Sequence, residues 1–393
     1  MIATLRRALP NSPFLPAALA FLLATTLVFA YARGHNYNFT AFVRAGMPLA
    51  IPHDLPPNFV IRPKGDHGHD GQFYYRLSLN PFTSTQTANG ILLDAPAYRH
   101  QRVFYPFVVW CLSLGQKALV PFVMVAVNVF AWTLLGLLGG LWARKFNIHA
   151  IWGVLLALHP GFLISLWLNL TEISEVALLC AALLALRHKK NWLCAVLLSL
   201  AVLTKETALL FAVAGALVWL WERRRIASER TLEPVVWMLP VGVYITWQVI
   251  IFALWHQWGA TSGTGNLGMP FVGIFATFLH VVYHRPEEAG WATLVGAQLL
   301  AIALLTFVVA YRLRRAFIAP LAKVSWLLYV VLAMCLSSAV WSLEVNFTRA
   351  LSEYSMLGLL VVLAQSSWRM RAVIGLAMLS FIASRAYFVL AIL

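Results

Sequence analysis

Acidic residues are scarce in this chain. Fourteen aspartates and glutamates stand against 29 lysines and arginines in 393 residues, a formal net charge of +15. Charge of either sign is thin, at 11% of the chain against 61% hydrophobic residues. Soluble domains carry about 25% charged residues, so the composition excludes an ordinary soluble fold and belongs to a membrane protein. Cysteine is also rare. Cys111, Cys180, Cys194 and Cys335 all fall in apolar stretches with no pair at metal-ligand spacing, and they read as small buried hydrophobes. No Walker sequence is present, so nothing points to an ATP site. The short alternating segments of a β-barrel are missing. So are a low-complexity tail, a long charge run and an inverted repeat. A basic surplus in a soluble protein would raise nucleic acid as a partner. No nucleic-acid motif accompanies it, and the basic residues read as cytoplasmic topology signals.

What the chain does have is a series of apolar runs long enough to span a bilayer. They predict an all-α polytopic membrane protein with about eleven transmembrane helices. These fall near 13–33, 118–142, 149–168, 171–187, 191–204, 205–221, 234–256, 291–311, 321–341, 348–366 and 371–391, and 1–393 reads as one integral-membrane domain. Arg6-Arg7, the apolar run from Pro13 to Tyr31 and "AYA" at 30–32 look like a signal peptide. The run is long for one, so it reads as a retained first helix. The basic clusters are Arg6-Arg7, Arg144-Lys145, Arg187 to Lys190, Arg223 to Arg225, Arg312 to Arg315, and Arg369 with Arg371. With the N-terminus inside, all of them land in the cytoplasm, and most of the acids fall on the outer side. "RVFYPFVVWCLSLGQ" (102–116) is apolar but short, and reads as an interfacial or re-entrant helix closing an outer loop over 34–117. A second outer loop over 257–290 is Gly-rich, then apolar, which suits a helix lying at the interface. The sequons at Asn38, Asn169 and Asn346 all fall on the outer side.

Charged groups beside a bilayer are costly and need a reason. The run His67-Gly68-His69-Asp70-Gly71-Gln72-Phe73-Tyr74-Tyr75-Arg76 puts an acid at the start of a short helix. Asp70 can cap that helix, or act on a proton or a cation. With His67 and His69 it offers a weak transition-metal pattern. In "NLTEISE" (169–175), Thr171 or Asn169 can cap a helix whose dipole favours Glu172. Glu175 roughly shares a face with Glu172. "LTKETALL" (203–210) is either a turn or a device that aims Lys205, beside Glu206, at an anionic group. Arg349 and Glu353, at i,i+4, can satisfy each other. Arg385, inside the last span, can snorkel outward. Arg99 and Arg102 stand where the loop rejoins the membrane, and arginine suits a phosphate through its fork of donors.

An acid in the first outer loop, an acid at the second outer junction and cations at later membrane edges form a pattern. It resembles the GT-C superfamily of integral-membrane glycosyltransferases. "HDGQFYYRLSLNPF" looks like the first-loop motif of its mannosyltransferase branch, nearest to the branch that builds glycosylphosphatidylinositol anchors. "LHPGFLISLWLNLTEISEVALLCAALLAL" and "LTKETALL" resemble bacterial relatives linked to cell-surface glycopolymer formation. The likeness covers roughly residues 60–300. His69 stands where the eukaryotic branch commonly has Trp, and no large C-terminal soluble domain is seen.

The resemblance implies a GT-C-like fold. It also implies transfer of a sugar from a polyprenyl-phosphate carrier to a cell-surface glycan or lipid acceptor at the outer membrane face. By that analogy Asp70 is the catalytic carboxylate, and Glu172 loosely matches the second-loop acid. Physical inference adds Arg99, Arg102, Lys205 and Arg349 as candidates for the carrier phosphate. His69, Gln72, Tyr74, Arg76, Glu175 and Glu353 are further candidates for substrate contact. Some relatives use a divalent metal and others do not, so the metal stays open. The implied partners are donor, acceptor and membrane lipids, without nucleic acid, and the implied location is a bacterial inner membrane. Two other classes compete. A transporter or flippase of a lipid-linked or anionic substrate would line a path across the membrane with polar groups. A non-catalytic membrane assembly subunit would tolerate loss of Asp70.

Overall fold

The computed structural model describes residues 10–224, 232–262 and 264–391. The clusters at Arg6-Arg7 and Arg225 lie outside them. Nearly every described element is a helix. After α1 (Phe14–Arg33) comes a long polar excursion. It holds three short helices, α2 (Gly71–Leu79), α3 (Pro96–His100) and α4 (Phe104–Ser113). It also holds two short strand pairs. Strands β1 (Ala45–Gly46) and β2 (Ile61–Arg62) run parallel, while β3 (Thr87–Ala88) and β4 (Ile91–Leu92) run antiparallel. Then follow α5 (Val120–Lys145), a 3-10 segment (Ala150–Ala157), α6 (Pro160–Trp167), α7 (Glu172–Arg187) and α8 (Asn191–Thr204). Next are α9 (Leu209–Arg223), α10 (Val235–Trp255), α11 (Val272–Val282), α12 (Ala289–Leu313) and α13 (Pro320–Cys335). The chain closes with α14 (Ser338–Trp341), α15 (Glu344–Ala350), α16 (Ser352–Gln365) and α17 (Trp368–Ala391).

Among the described residues five helices, α1, α5, α10, α12 and α17, are long and apolar enough to cross a membrane. Two bent pairs raise the number to seven if each counts as one span. The described helices thus give a multi-pass architecture with five to seven segments of spanning length, against the eleven expected. The segments expected at 171–187, 191–204, 205–221 and 321–341 do hold helices, of 16, 14, 15 and 16 residues. At 1.5 Å per residue these reach about 21–24 Å, short of a hydrocarbon core about 30 Å thick.

The two bent pairs shape the molecule. The 3-10 segment and α6 meet at 54°, and α15 and α16 at 53°. The first break follows from Pro160, which pushes the preceding His159 into extended backbone (φ −64°, ψ 124°). Breaks leave carbonyls without helical partners, and in an apolar interior these need new donors. A ring nitrogen of His159 lies 2.9 Å from the Thr348 carbonyl, and Ser352 Oγ donates to the Arg349 carbonyl at 2.7 Å. The two breaks therefore dock on one another, with Gly161 leaving room for Thr348. Small residues also let α5 approach its neighbours. A Cβ on Gly139 would lie 2.1 Å from the Gly153 carbonyl oxygen, the close contact that lets helices pack without a hydrophobic driving force.

The two ends of the bundle differ in charge. Basic helix ends gather at one of them. There the Arg187 guanidinium stacks 4.3 Å from the Phe317 ring, Arg312 donates to the Gln365 carbonyl, and Arg371 donates to the Leu363 carbonyl. The opposite end of α7 carries Glu172 and Glu175. Between the ends, α12 and α17 expose large apolar side chains such as Phe307 (70%) and Leu376 (65%), more apolar surface than a soluble monomer presents. Cys180 and Cys194 are buried, but Cys111 is exposed on α4, where its short helix turns one face outward.

Candidate functional site

The site grows from α2. Phe73, Tyr74, Tyr75 and Leu77 are all buried, and burying side chains of this size is worth about 1.5–3 kcal/mol each. They pack with Ile164, Leu168 and Met124 in one apolar cluster. Gly71 makes the close fit: a Cβ there would sit 2.1 Å from the Leu168 carbonyl oxygen. Asp70 is thereby fixed at the helix start.

Asp70 does not cap the helix. It occupies the N-cap position, but its side chain makes no cap hydrogen bond. Arg99 Nη1 donates to its Oδ1 at 2.9 Å, and Arg349 Nη1 donates to its Oδ2 at 3.0 Å. Arg99 is fixed independently. Its Nε and Nη2 donate to the Asp94 carboxylate, both at 2.8 Å, and its guanidinium lies 4.0 Å from the Phe73 ring centroid. Arg349 also approaches Glu172 Oε1 at 3.6 Å. Glu172 in turn accepts from Ser165 Oγ at 3.1 Å. Thr171 makes no cap bond, so the acid at the start of α7 serves this cluster.

Arg102 clamps Glu206 with two bonds, at 2.9 and 2.8 Å, and donates to Tyr74 and Tyr98 hydroxyls, both at 3.0 Å. Asn266 also donates to the Tyr98 hydroxyl, tying the later loop to the cluster. Lys205 lies deeper. Its Nζ is 2.8 Å from Glu353 Oε1 and 3.4 Å from Glu175 Oε2. Thr207 Oγ1 donates to Glu353 at 2.6 Å.

The structure thus brings together Asp70, Glu172, Tyr74, Arg99, Arg102, Glu175, Lys205, Arg349 and Glu353. It corrects several expectations. Arg349 and Glu353 do not satisfy each other, because each faces a different partner across the bundle. Arg385 does not snorkel; it meets Glu344 at 3.2 Å. Gln72 is buried and holds the loop, accepting from the Gly46 amide at 3.2 Å and donating to the His67 carbonyl at 2.9 Å. Arg76 points away, to Thr83 and Thr85 hydroxyls at 2.9 and 3.1 Å. Six residues beyond Asp70, it lies near the opposite face of the helix. His69 flanks Asp70, its amide held by the Arg44 carbonyl. Among the described residues no group of three His, Cys, Asp or Glu side chains is arranged to hold a metal ion, and His67 and His69 do not converge with Asp70 on one. Asn169 is fully buried.

Partners that the sequence reading had assigned no role are Asp94, Tyr98, Glu206, Thr207, Ser165 and Ser352. Of these Asp94, five residues before Arg99, and Glu206, beside Lys205, carried a local signal.

Coverage is graded. The side chains of Asp70, Arg99 and Arg349 are 17%, 14% and 18% exposed, whereas Glu175 and Glu353 are at 0% and Lys205 at 6%. The Asp70 bridge is partly open, as is Glu206 at 24%, and the lysine is sealed. A cavity of about 320 Å³ opens between α6, α12, α15, α16 and α17, with none of the cluster's charged side chains in its lining. Its walls are largely apolar, with Ala301, Leu305, Ala377 and Phe381 among them, and Gln298 and Thr348 lie at its polar part. Thr348 is the immediate neighbour of Arg349.

Burial alone would raise the Asp70 carboxyl, but Arg99, Arg349 and Arg102 outweigh it and hold the group well below the usual carboxylate range. Burial, with Arg44 and Arg349, lowers His69 to about 4, and burial lowers His100 to about 4. All three groups are depressed in the folded state, so each stabilises above its unfolded pKa and stops doing so as pH falls. Acid loss should come in two stages. The first, from pH 6.5 toward 4, belongs to the two histidines; the second, below the ordinary carboxylate range, belongs to Asp70. Thermal unfolding in detergent across this range should show both stages, and His69→Gln should shrink the first to the share of His100 while leaving the second.

Comparison with protein-family models, curated proteins and solved structures gives no match.

Proposed function

We propose that this protein is a membrane glycosyltransferase that moves a sugar from a polyprenyl-phosphate carrier to a cell-surface glycan or lipid acceptor. The observation that carries the reading is the Asp70 carboxylate shared by Arg99 and Arg349 in a partly exposed charged cluster, within a bundle that also encloses an apolar cavity. Asp70 would orient or deprotonate the acceptor hydroxyl. Arg99 and Arg349 would hold the carrier phosphate and stabilise the charge that develops on it as it leaves. Glu172 would steady Arg349. Lys205, closed off by two carboxylates, fits a structural role better than phosphate binding, and Arg102 fits a role in holding Tyr74 and Glu206. The cavity suits the first isoprenoid units of the carrier. The reading has about eleven crossings, the Asp70 cluster at the outer face and the basic helix ends in the cytoplasm of a bacterial inner membrane.

The test is direct. Purified protein given a radiolabelled sugar on polyprenyl phosphate should transfer the label to membrane acceptors. Absence of transfer from every such donor would remove the reading. Filling the cavity offers a second check. Ala377→Trp should raise the donor KM about tenfold, equivalent to ~1.4 kcal/mol of lost binding, with an unchanged unfolding temperature.

One observation favours a transporter instead. Two discontinuous helices dock break to break beside buried charges, a design that transporters use for substrate and ion sites. Movement of labelled carrier across proteoliposomes without sugar transfer would decide for it.

A further inference from the structure

We infer that Asp70 is an internal stand-in for the carrier's phosphate: the phosphodiester monoanion of the donor displaces its carboxylate from Arg99 and Arg349, and only then can Asp70 engage the acceptor. This rests on the transferase reading and adds an order, donor before acceptor.

The geometry supports exchange in four ways. Each Asp70 oxygen takes one guanidinium donor, at 2.9 and 3.0 Å. Two non-bridging oxygens of a phosphodiester present the same pair of acceptors with the same single negative charge. Both arginines keep an acid when Asp70 departs, because Arg99 stays on Asp94 and Arg349 stays near Glu172. They are therefore held ready for another anion. These three side chains are partly exposed while Lys205 is sealed, so an incoming anion reaches this bridge and not Lys205. Finally, the cluster's other cations are matched: Arg102 by Glu206, and Lys205 by Glu175 and Glu353.

Exchange also resolves a conflict in the chemistry. A carboxylate gripped by two guanidinium groups is a weak base, and a base works best when its pKa lies near the working pH. Once the phosphate holds the arginines, Asp70 recovers basicity. The acceptor O–H proton then passes to Asp70, and the acceptor oxygen bonds to the anomeric carbon. The bond from that carbon to the phosphate oxygen breaks, and its electron pair leaves with the phosphate. Asp70 becomes neutral and the phosphate gains one negative charge, so the total charge is conserved while both arginines remain on the phosphate.

The test uses farnesyl phosphate as the probe, with farnesol and inorganic phosphate as controls, on detergent-solubilised full-length protein. Asp70→Asn should bind farnesyl phosphate about tenfold more tightly than wild type, because the competing carboxylate is gone. Arg349→Gln should bind it at least about tenfold more weakly. In wild-type protein with isotope-labelled aspartate carboxyls, farnesyl phosphate should shift an infrared carboxylate band that farnesol leaves in place, a readout that needs no variant to fold. Equal affinities of wild type and Asp70→Asn, or an unshifted band with bound probe, would overturn the exchange while wild-type sugar transfer still judged the transferase reading on its own. The same shift from inorganic phosphate at equal affinity would overturn the assignment to a lipid headgroup, and failure of the probe to bind would overturn the phosphate site altogether.

Discussion

Asp70→Asn should lower sugar transfer by about 100-fold or more, the usual contribution of a positioned general base. The substitution keeps the size and shape of the side chain, so the packing of α2 against Leu168 is untouched. It removes the negative charge and the proton acceptor together. Arg99 retains Asp94 and Arg349 retains its contact with Glu172, which limits the cost of leaving two guanidinium groups half-covered. The loss should therefore sit in kcat, with a lower donor KM. Initial rates at saturating donor, alongside a thermal unfolding curve, check it. Full retained transfer by a folded variant would remove Asp70 from catalysis and favour the assembly-subunit reading.

Lys205→Met should cost about 3–5 kcal/mol of stability, the penalty for breaking a buried ion pair from one side. Lys205 sits between two carboxylates that have no exposed surface, Glu175 and Glu353, and these come from different helices. Methionine has a similar shape but leaves both acids facing Thr207 and each other. Unfolding in detergent should move to markedly lower temperature. Adding Glu353→Gln to Lys205→Met should restore part of the loss, since it removes one of the stranded charges, and the difference measures the coupling. If Lys205→Met alone leaves stability unchanged, the buried cluster does not hold α7, α8 and α16 together.

Much of the architecture is legible in the sequence because apolar run length and helix breakers act locally. The run 149–168 reads as one span, and its bend at Pro160 emerges only in the structure, whereas the short run 102–116 does form a short helix, α4. The second bend, after Ala350, has no proline to mark it, and it became visible only where His159 meets Thr348. The acids and arginines were also legible as candidates, because charge in an apolar chain is conspicuous. Their pairing was not. Local rules put Asp70 on its own helix amides and Arg349 on Glu353 four residues away, and both gave way to distant partners. Gln72 and Arg76, chosen because they neighbour Asp70 in sequence, face other ways around a 3.6-residue turn.

The sequence by itself determined that the chain is helical and apolar, that its charges are few, and which residues bear them. Only the tertiary structure decided which charge meets which. Arg99 reaches Asp70 across 29 residues, Arg102 reaches Glu206 across 104, Lys205 reaches Glu353 across 148, and Arg349 reaches Asp70 across 279. The physical reason is that a charge enclosed by apolar helices takes the counter-charge that packing brings within reach. That choice is made by how the broken helices and α2 dock, and no local spacing in the chain records it.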